Sequence, residues 1–320
     1  MSRTAVRIAL PVGDPNGIGP EIALKTVAAY AGRDDVQITL FGPQAVLQRT
    51  AAQLGLAALL DASAIVPTEA WASSTFVPGQ VCAEAGAAMI AAASVAITAA
   101  RRGEFDAVVA APHHETAVHL AGIAFSGYPS LVARVCGQPE DSVFLLLVGG
   151  GLHIVHATLH ESVQHALDRL SPELVEQATQ AGVRAMQRLG VAAPRIGLFG
   201  INPHAGENGL FGDADERITR PAAGRLRAAG LQMDGPIGAD ALLADRRHDL
   251  YVAMLHDQGH IPIKLLSPKR ASALSIGADV ILSSVGHGCA MDIAGQGIAD
   301  AGAMVDTVAR LAAVPAPTEY

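Results

Sequence analysis

The feature that most constrains this chain is rhythm: short β-rich runs alternate with longer Ala/Leu-rich stretches. Strand-like runs fall at 6–12, 37–41, 107–110, 143–148, 152–156, 195–199, 250–254 and 280–283. Helix-like stretches fall at 20–31, 84–101, 172–189, 218–229 and 298–313, with Pro20 and Pro172 where a first helical turn tolerates proline. This alternation predicts an α/β protein with a mostly parallel sheet. Gly149–Gly151 separates two strand-like runs and reads as a hairpin turn, not a phosphate cradle. There is no internal repeat, low-complexity linker or clean break in composition.

Half of the 320 residues are hydrophobic, enough for a packed core, and the length suggests two lobes. The net charge of −8 is spread without a basic run, which speaks against nucleic acid or an anionic membrane surface as partner. An anionic substrate must therefore be met by a local cluster of cations, metal or backbone N–H groups. The cysteines Cys82, Cys136 and Cys289 show no CxxC spacing, as suits a reducing cytosol. The uncharged run 85–100 is short for a membrane span and mostly alanine, so it reads as a packed helix. The N-terminal apolar run is cut by Gly13, Asp14 and Pro15 and reads as a first strand, not a signal peptide. A soluble, cytoplasmic protein is expected.

Three clusters carry chemistry. In Gly13-Asp-Pro-Asn-Gly-Ile-Gly-Pro-Glu21, between the first strand and helix, the glycines do not fit GxGxxG. They either let a ligand approach the backbone at a helix N-terminus or make a tight turn. The second cluster is three histidines, each where an apolar strand gives way to polar residues: His160 in Ala157-Thr-Leu-His-Glu161, His204 in Gly200-Ile-Asn-Pro-His-Ala-Gly-Glu207, and His256 in Ala253-Met-Leu-His-Asp-Gln-Gly259. Three neutral imidazoles would hold Zn²⁺ or another borderline divalent ion with room for substrate oxygens, although each alone could be an ordinary hydrogen-bonded residue. His113-His114 is a rival pair. The third cluster, Gly286-His-Gly-Cys-Ala-Met-Asp-Ile-Ala-Gly-Gln-Gly297, is either a loop that lets an adenosine lie flat against His287 and Asp292 or a helix-initiating loop. Lys264 is a lone cation in an apolar stretch, either reaching solvent or meeting a substrate carboxylate.

The segments Gly13–Glu21, Gly200–Gly206 and Leu255-His-Asp-Gln-Gly259 together resemble the 4-hydroxythreonine-4-phosphate dehydrogenase family over essentially the whole chain. The loop 287–297 also looks like the adenosine-binding loop of isopropylmalate dehydrogenases. The resemblance implies a two-lobed α/β/α subunit of isopropylmalate-dehydrogenase type with a non-Rossmann dinucleotide site. On that reading residues 1–128 plus 270–320 form a discontinuous nucleotide-side lobe, and 129–269 a metal- and dimerisation-side lobe. It implies NAD(P), bound through Gly17, Gly19, His287, Gly288 and Asp292. It implies one divalent ion (zinc, iron or similar) on His160, His204 and His256, and a homodimer sharing that site. Mixing His160→Ala with His256→Ala chains is then expected to restore some activity.

Departures from the family pattern bear on substrate. Phosphate-substrate members carry Gly-His-Thr where this chain has Gly127-Tyr128-Pro129-Ser130, an Asn at Ala273 and an Arg at Leu282, while Lys264 remains. Loss of these groups removes machinery for a phosphate dianion, with Lys269 or Arg270 as cations that could replace it. Ala111-Pro-His-His-Glu-Thr-Ala117 and Gly122–Ser130 resemble the branch that acts on 1,2-dihydroxy-3,5-cyclohexadiene-1,4-dicarboxylate, giving protocatechuate and carbon dioxide. The expected roles follow from that branch. Lys264 meets a carboxylate or supplies a proton, and Asp240 and Asp257 act as bases or orient a ligating imidazole. Tyr128, Ser130 and His114 contact a dicarboxylate substrate. The rival readings are a dehydrogenase of 4-phosphohydroxythreonine or a related phosphorylated hydroxy acid, and a three-His metallohydrolase.

Overall fold

The computed structural model describes residues 5–61, 64–68 and 75–317. Its strands are β1 Val6–Pro11, β2 Val36–Gly42, β3 Ala64–Pro67, β4 Ala107–Ala110, β5 Phe144–Gly149, β6 Leu152–His156, β7 Ile196–Phe199, β8 Met233–Ile237, β9 Leu250–Ala253, β10 Ser272–Ile276 and β11 Leu282–Val285. Its helices are α1 Gly19–Ala29, α2 Gln44–Leu54, α3 Ala57–Asp61, α4 Ala83–Arg101, α5 Glu115–Leu120, α6 Tyr128–Cys136, α7 Val163–Arg169, α8 Pro172–Arg188, α9 Arg220–Ala228, α10 Ala239–Asp245, α11 His256–Leu266 and α12 Gly302–Ala312.

The chain forms two compact units, one running up to Gln138 and resuming at Ala278, the other Pro139–Gly277. These limits lie later than the expected 128/129 and 269/270, for a packing reason at each. Helix α6 packs on α4 and β11 of the first unit. Strand β10 pairs antiparallel with β5 of the second, from Ser272↔Val148 to Ile276↔Phe144.

In the first unit the strand order is β3-β2-β1-β4-β11, all parallel. The loops after β1, β4 and β11 thus leave the same, carboxyl edge of the sheet, where open α/β sheets place ligands. The core joins Ile8 and Leu10 of β1 to Ile22 and Leu24 of α1 and to Met304 and Val308 of α12, all fully buried. Helix α4 is long and apolar enough to cross a membrane by composition, but more than half of its most apolar window is buried against this unit.

The second unit has the order β10-β5-β6-β9-β7-β8. β10, β5 and β6 are antiparallel neighbours, whereas β6, β9, β7 and β8 run parallel. The glycine-rich turn is the expected hairpin. Gly149 pairs with Leu152, leaving Gly150 (φ +59°) and Gly151 (φ +78°) as a two-residue turn that only left-handed backbone closes. The core packs Leu147, Ile154, Phe199 and Tyr251 against Ile263 of α11.

Two elements depart from the sequence reading. The stretch expected to start a helix at 298 stays open until Gly302, because the Glu21 carboxylate accepts hydrogen bonds from Gly297 N (3.1 Å) and Ala299 N (2.7 Å). Lys25 Nζ donates to the carbonyls of the same two residues. Helix α11, in contrast, was hidden by Gly259 and Pro262 within it. Packing of Ile263 under the sheet overrides their poor propensity.

Candidate functional site

The three strand-end histidines belong to three adjacent parallel strands. β9 lies between β6 and β7, in the register His156↔Ala253 and Leu198↔Val252. Residues 157–160, 200–206 and 254–256 therefore leave one edge of one sheet side by side. The His256 segment is central, and Gln258 Nε2 donates to Gly200 O (2.9 Å). His160 and His256 face each other with ring centroids 5.3 Å apart. Both line a cavity of about 720 Å³, together with Thr158, Leu159, Glu161 and Asp257.

The Asp257 carboxylate accepts a hydrogen bond from His256 Nδ1–H at 2.8 Å. That places the proton on Nδ1 and leaves the Nε2 lone pair available, the orientation of a metal-ligating imidazole with a carboxylate behind it. The donor set thus suits a borderline divalent ion.

His204 is set differently. Its ring lies 6.1 Å from that of Phe211. Among the described residues no group of three or more His, Cys, Asp or Glu is arranged to hold a metal ion within one chain. The His204 backbone is left-handed (φ +53°), as are Ala205, Glu207 and Asn208. For non-glycine residues this costs on the order of 1 kcal/mol each. Asp215 holds the loop there. Fully buried, it accepts from Ile201 N (2.8 Å), Asn202 N (3.0 Å), Asn202 Nδ2 (3.1 Å) and Thr219 Oγ1 (2.7 Å). Asp240 lies beside this loop: a Cβ built on Gly238 would stand 2.6 Å from Asp240 Oδ1 and 3.9 Å from His204 N.

Helix α11 carries more than His256. Positions 256, 260 and 264 fall on one helical face. His260 stacks on His256, with centroids 3.7 Å apart and planes 13° from parallel. Behind it is His156, fully buried. Burial, then the neighbouring His260 imidazole, pushes His156 down to about 3. Burial, then His256, pushes His260 down to about 4. Burial also lowers Lys264 below the usual lysine range. Neither His156, His260 nor Asp215 emerged from the sequence. Had α11 been read as a helix, the i,i+4 spacing of His256 and His260 would have flagged the second imidazole.

In the first unit the loops after β1 and β11 pack on each other. Ile18 N donates to Cys289 O (2.9 Å), and Gly17 sits so close that a Cβ there would lie 2.8 Å from Cys289 Cβ. A Cβ on Gly19 would lie 2.1 Å from Val12 O. These two glycines, expected to face a cofactor, are buried and serve close loop packing. His287, Gly288 and Asp292 remain on the accessible side, Gly288 with open space before it. His287 Nδ1–H donates to Gly288 O (3.1 Å).

Two of the expected substrate contacts, Tyr128 and Ser130, are buried. Tyr128 is 3 % exposed, its hydroxyl donates to Ala111 O (2.8 Å), and its ring meets the His113 edge at 4.9 Å. Ser130 Oγ donates to Gly127 O (2.8 Å) and accepts from Ser126 N (3.1 Å), fastening the start of α6. His114 is partly accessible and caps α5 by accepting from Ala117 N (3.4 Å). Leu282, expected to mark a lost phosphate ligand, is a fully buried side chain of β11.

Residues 23–311 match the family model described as pyridoxal phosphate biosynthetic protein PdxA. The chain is 55 % identical to a 1,2-dihydroxy-3,5-cyclohexadiene-1,4-dicarboxylate dehydrogenase of a Comamonas species, covering 97 % of this chain and 98 % of that protein. It is 37 % identical to a D-threonate 4-phosphate dehydrogenase of Cupriavidus necator, covering 94 % and 95 %. Among solved structures, a terephthalate 1,2-cis-dihydrodiol dehydrogenase from Burkholderia xenovorans is similar at a TM-score of 0.73 and 48 % identity, covering 96 % of this chain and 98 % of that one. A β-decarboxylating dehydrogenase from Thermococcus kodakarensis shares the fold alone, at a TM-score of 0.55 and 17 % identity, covering 96 % and 82 %.

Proposed function

This chain belongs to the family of the pyridoxal phosphate biosynthetic protein PdxA, and from that premise we propose that it oxidises 1,2-dihydroxy-3,5-cyclohexadiene-1,4-dicarboxylate, with NAD(P) and a divalent ion, to protocatechuate and carbon dioxide. That the chain is a dehydrogenase follows from its relatives. The choice of substrate rests on one observation, 55 % identity over nearly the full length of a dehydrogenase named for this diol. The isopropylmalate-dehydrogenase type of fold, with its non-Rossmann nucleotide site, is part of the same reading.

A divalent ion on His160, His256 and a third imidazole would act as a Lewis acid toward the substrate oxygens, and a nicotinamide would accept the hydride. The protein's own groups orient and exclude. Asp257 holds the proton on His256 Nδ1, which leaves the Nε2 lone pair of this cavity-lining residue free for a ligand. Lys264, lowered by burial, stands on the same face of α11 as His256, where it is suited to meet a carboxylate or to supply a proton to the ring oxygen. The loop carrying His287, Gly288 and Asp292 offers an accessible, small-residue surface for an adenosine. The balance is one diol and one oxidised cofactor in, and one protocatechuate, one carbon dioxide and one reduced cofactor out. Oxidation of the ring alcohol places a ketone β to the neighbouring carboxylate. Carbon dioxide leaves without the electrons of its C–C bond, and recovery of aromaticity makes the loss irreversible.

A second copy of the chain is proposed to complete the site. The close approach of His160 to His256, with the His204 ring beside Phe211, supports a reading in which the third imidazole comes from the partner. Exposed Leu210, Phe211, Ile261 and Leu265 in the same unit supply apolar surface for such a dimer.

The 37 % identity to a D-threonate 4-phosphate dehydrogenase favours one alternative, a phosphorylated hydroxy acid as substrate. Steady-state kinetics with both substrates, NAD or NADP, and added Zn²⁺, Mn²⁺, Fe²⁺ or Co²⁺ separate the two. The diol dicarboxylate is expected to lead by about a hundredfold in kcat/KM, the worth of one or two charge-assisted hydrogen bonds to phosphate. Equal or better turnover of the phosphate ester would reject the diol and leave the family standing.

A further inference from the structure

The clustered imidazoles of His156, His160, His256 and His260 do not play equal parts, and carbonyl groups decide which nitrogen of His156 and of His260 carries its proton. His156 Nδ1 lies 3.2 Å from Leu145 O. A carbonyl can only accept, so Nδ1 bears the hydrogen, and a neutral His156, buried away from any carboxylate contact, offers Nε2 as an acceptor. His260 Nδ1 is 3.1 Å from that Nε2 and 3.2 Å from His256 O. Both partners are acceptors, so His260 also holds its proton on Nδ1. The two ends of the chain of contacts, Leu145 O and His256 O, demand the same tautomers. His260 thereby sits in a fixed orientation, flat against His256 at 3.7 Å.

We propose that His260, held by His156, is a positioning residue for His256: the pair fixes the plane of the His256 ring while Asp257 fixes its tautomer. The inference rests on the reading of His256 as a ligand to a divalent ion. Without the stack, the hydrogen bond that holds the His256 ring is to Asp257, whose side chain is 80 % exposed. The orientation of a metal ligand by groups behind it is worth about 10–100-fold in affinity.

The test titrates Co²⁺ into metal-free full-length protein, followed by calorimetry and by visible d–d absorption. His260→Leu is expected to weaken Co²⁺ binding by about 10–100-fold and to change the band shape. His260→Asn keeps an N–H near the Nδ1 position and so preserves the bond to His156, but removes the stack. It is expected to stay folded and to lose affinity to an intermediate degree. Wild-type affinity and spectrum in both variants would overturn the proposal. His256→Ala separates the two ideas. If it binds Co²⁺ as the wild type does, the ligand reading has failed, and the positioning claim is then read without metal, from long-range ¹H–¹⁵N imidazole spectra. Those spectra should show Nδ1–H tautomers for His156, His256 and His260 in the wild type. In His260→Leu the His256 ring is free to turn away from Asp257, so His256 should average between tautomers, and unchanged His256 signals would reject the positioning role.

Discussion

Asp14 has one carboxyl oxygen on the Asn16 amide N–H (2.9 Å), while the other, like Asn16 Oδ1, meets no hydrogen-bond partner among the described residues. Burial raises this carboxyl to about 6, against the opposing pull of the Asn16 N–H and the nearby His114. The sign follows from linkage. A folded-state value above the ordinary 3.8 means that stability from this group is fully present below the ordinary value and is lost as pH rises through about 6. The loss is on the order of 3 kcal/mol. Asp14→Asn, which cannot ionise, should therefore raise the melting temperature relative to wild type more at pH 8 than at pH 4.5. An equal difference at both pH values would show that Asp14 is not the buried acid described. The sequence marked the segment around Asp14 as special but assigned its glycines to a cofactor. Close loop packing, visible only in three dimensions, claims Gly17 and Gly19. Tyr128 and Ser130 were legible as departures from a family pattern, not as buried groups, because a tyrosine or serine reads the same whether its hydroxyl meets substrate or a backbone carbonyl.

At the scale of elements, α4 and α5 show propensity and packing in opposition. Gly86 lies within the alanine-rich α4, where alanine would normally stabilise a helix by about 1 kcal/mol. A Cβ there would stand 2.3 Å from the carbonyl carbon and oxygen of Ala117 and 2.5 Å from Val118 N, and backbone cannot swing aside. Overpacking of this kind costs roughly 1–3 kcal/mol or more, so packing wins. Gly86→Ala is expected to lower the melting temperature by several degrees, and thermal unfolding by circular dichroism checks the sign. The loop of His204 is a second such contest. Asp215→Ala removes the acceptor of the half-buried amides of Ile201 and Asn202, at about 1 kcal/mol each. It should release the left-handed turn, read as fast hydrogen exchange at residues 200–208 with little change elsewhere. Protection equal to wild type would mean that Asp215 does not hold the loop.

For the whole molecule, the arrangement of the histidines changes which chains should complement each other. With His160 and His256 on one chain and His204 from its partner, His160→Ala and His256→Ala damage the same half-site, and mixing them should restore nothing. His204→Ala mixed with His256→Ala should recover about a quarter of wild-type activity, from half the dimers each carrying one intact site. Subunit exchange verified by mass spectrometry, followed by rate measurement, decides between this pairing and the expectation drawn from sequence. Recovery with the first mixture, or none with the second, would place the ligands otherwise.

Local patterns were enough for the strands, several helices and the Gly150-Gly151 hairpin, because side-chain period and turn geometry depend on neighbours a few residues away. They also marked His160, His204 and His256, since the end of an apolar strand is itself a local signal. Pairing was beyond their reach. That β9 enters between β6 and β7, setting His256 against His160, is a contact between segments about a hundred residues apart in chain, which no short window contains. The same holds for the His156–His260 pair. A buried carbonyl of β5 chooses the tautomer of a β6 histidine, which orients a ring on a helix that Gly259 and Pro262 disguise in sequence. Tertiary structure decided these points because hydrogen-bond satisfaction and burial are properties of the assembled neighbourhood, not of the residue that meets them.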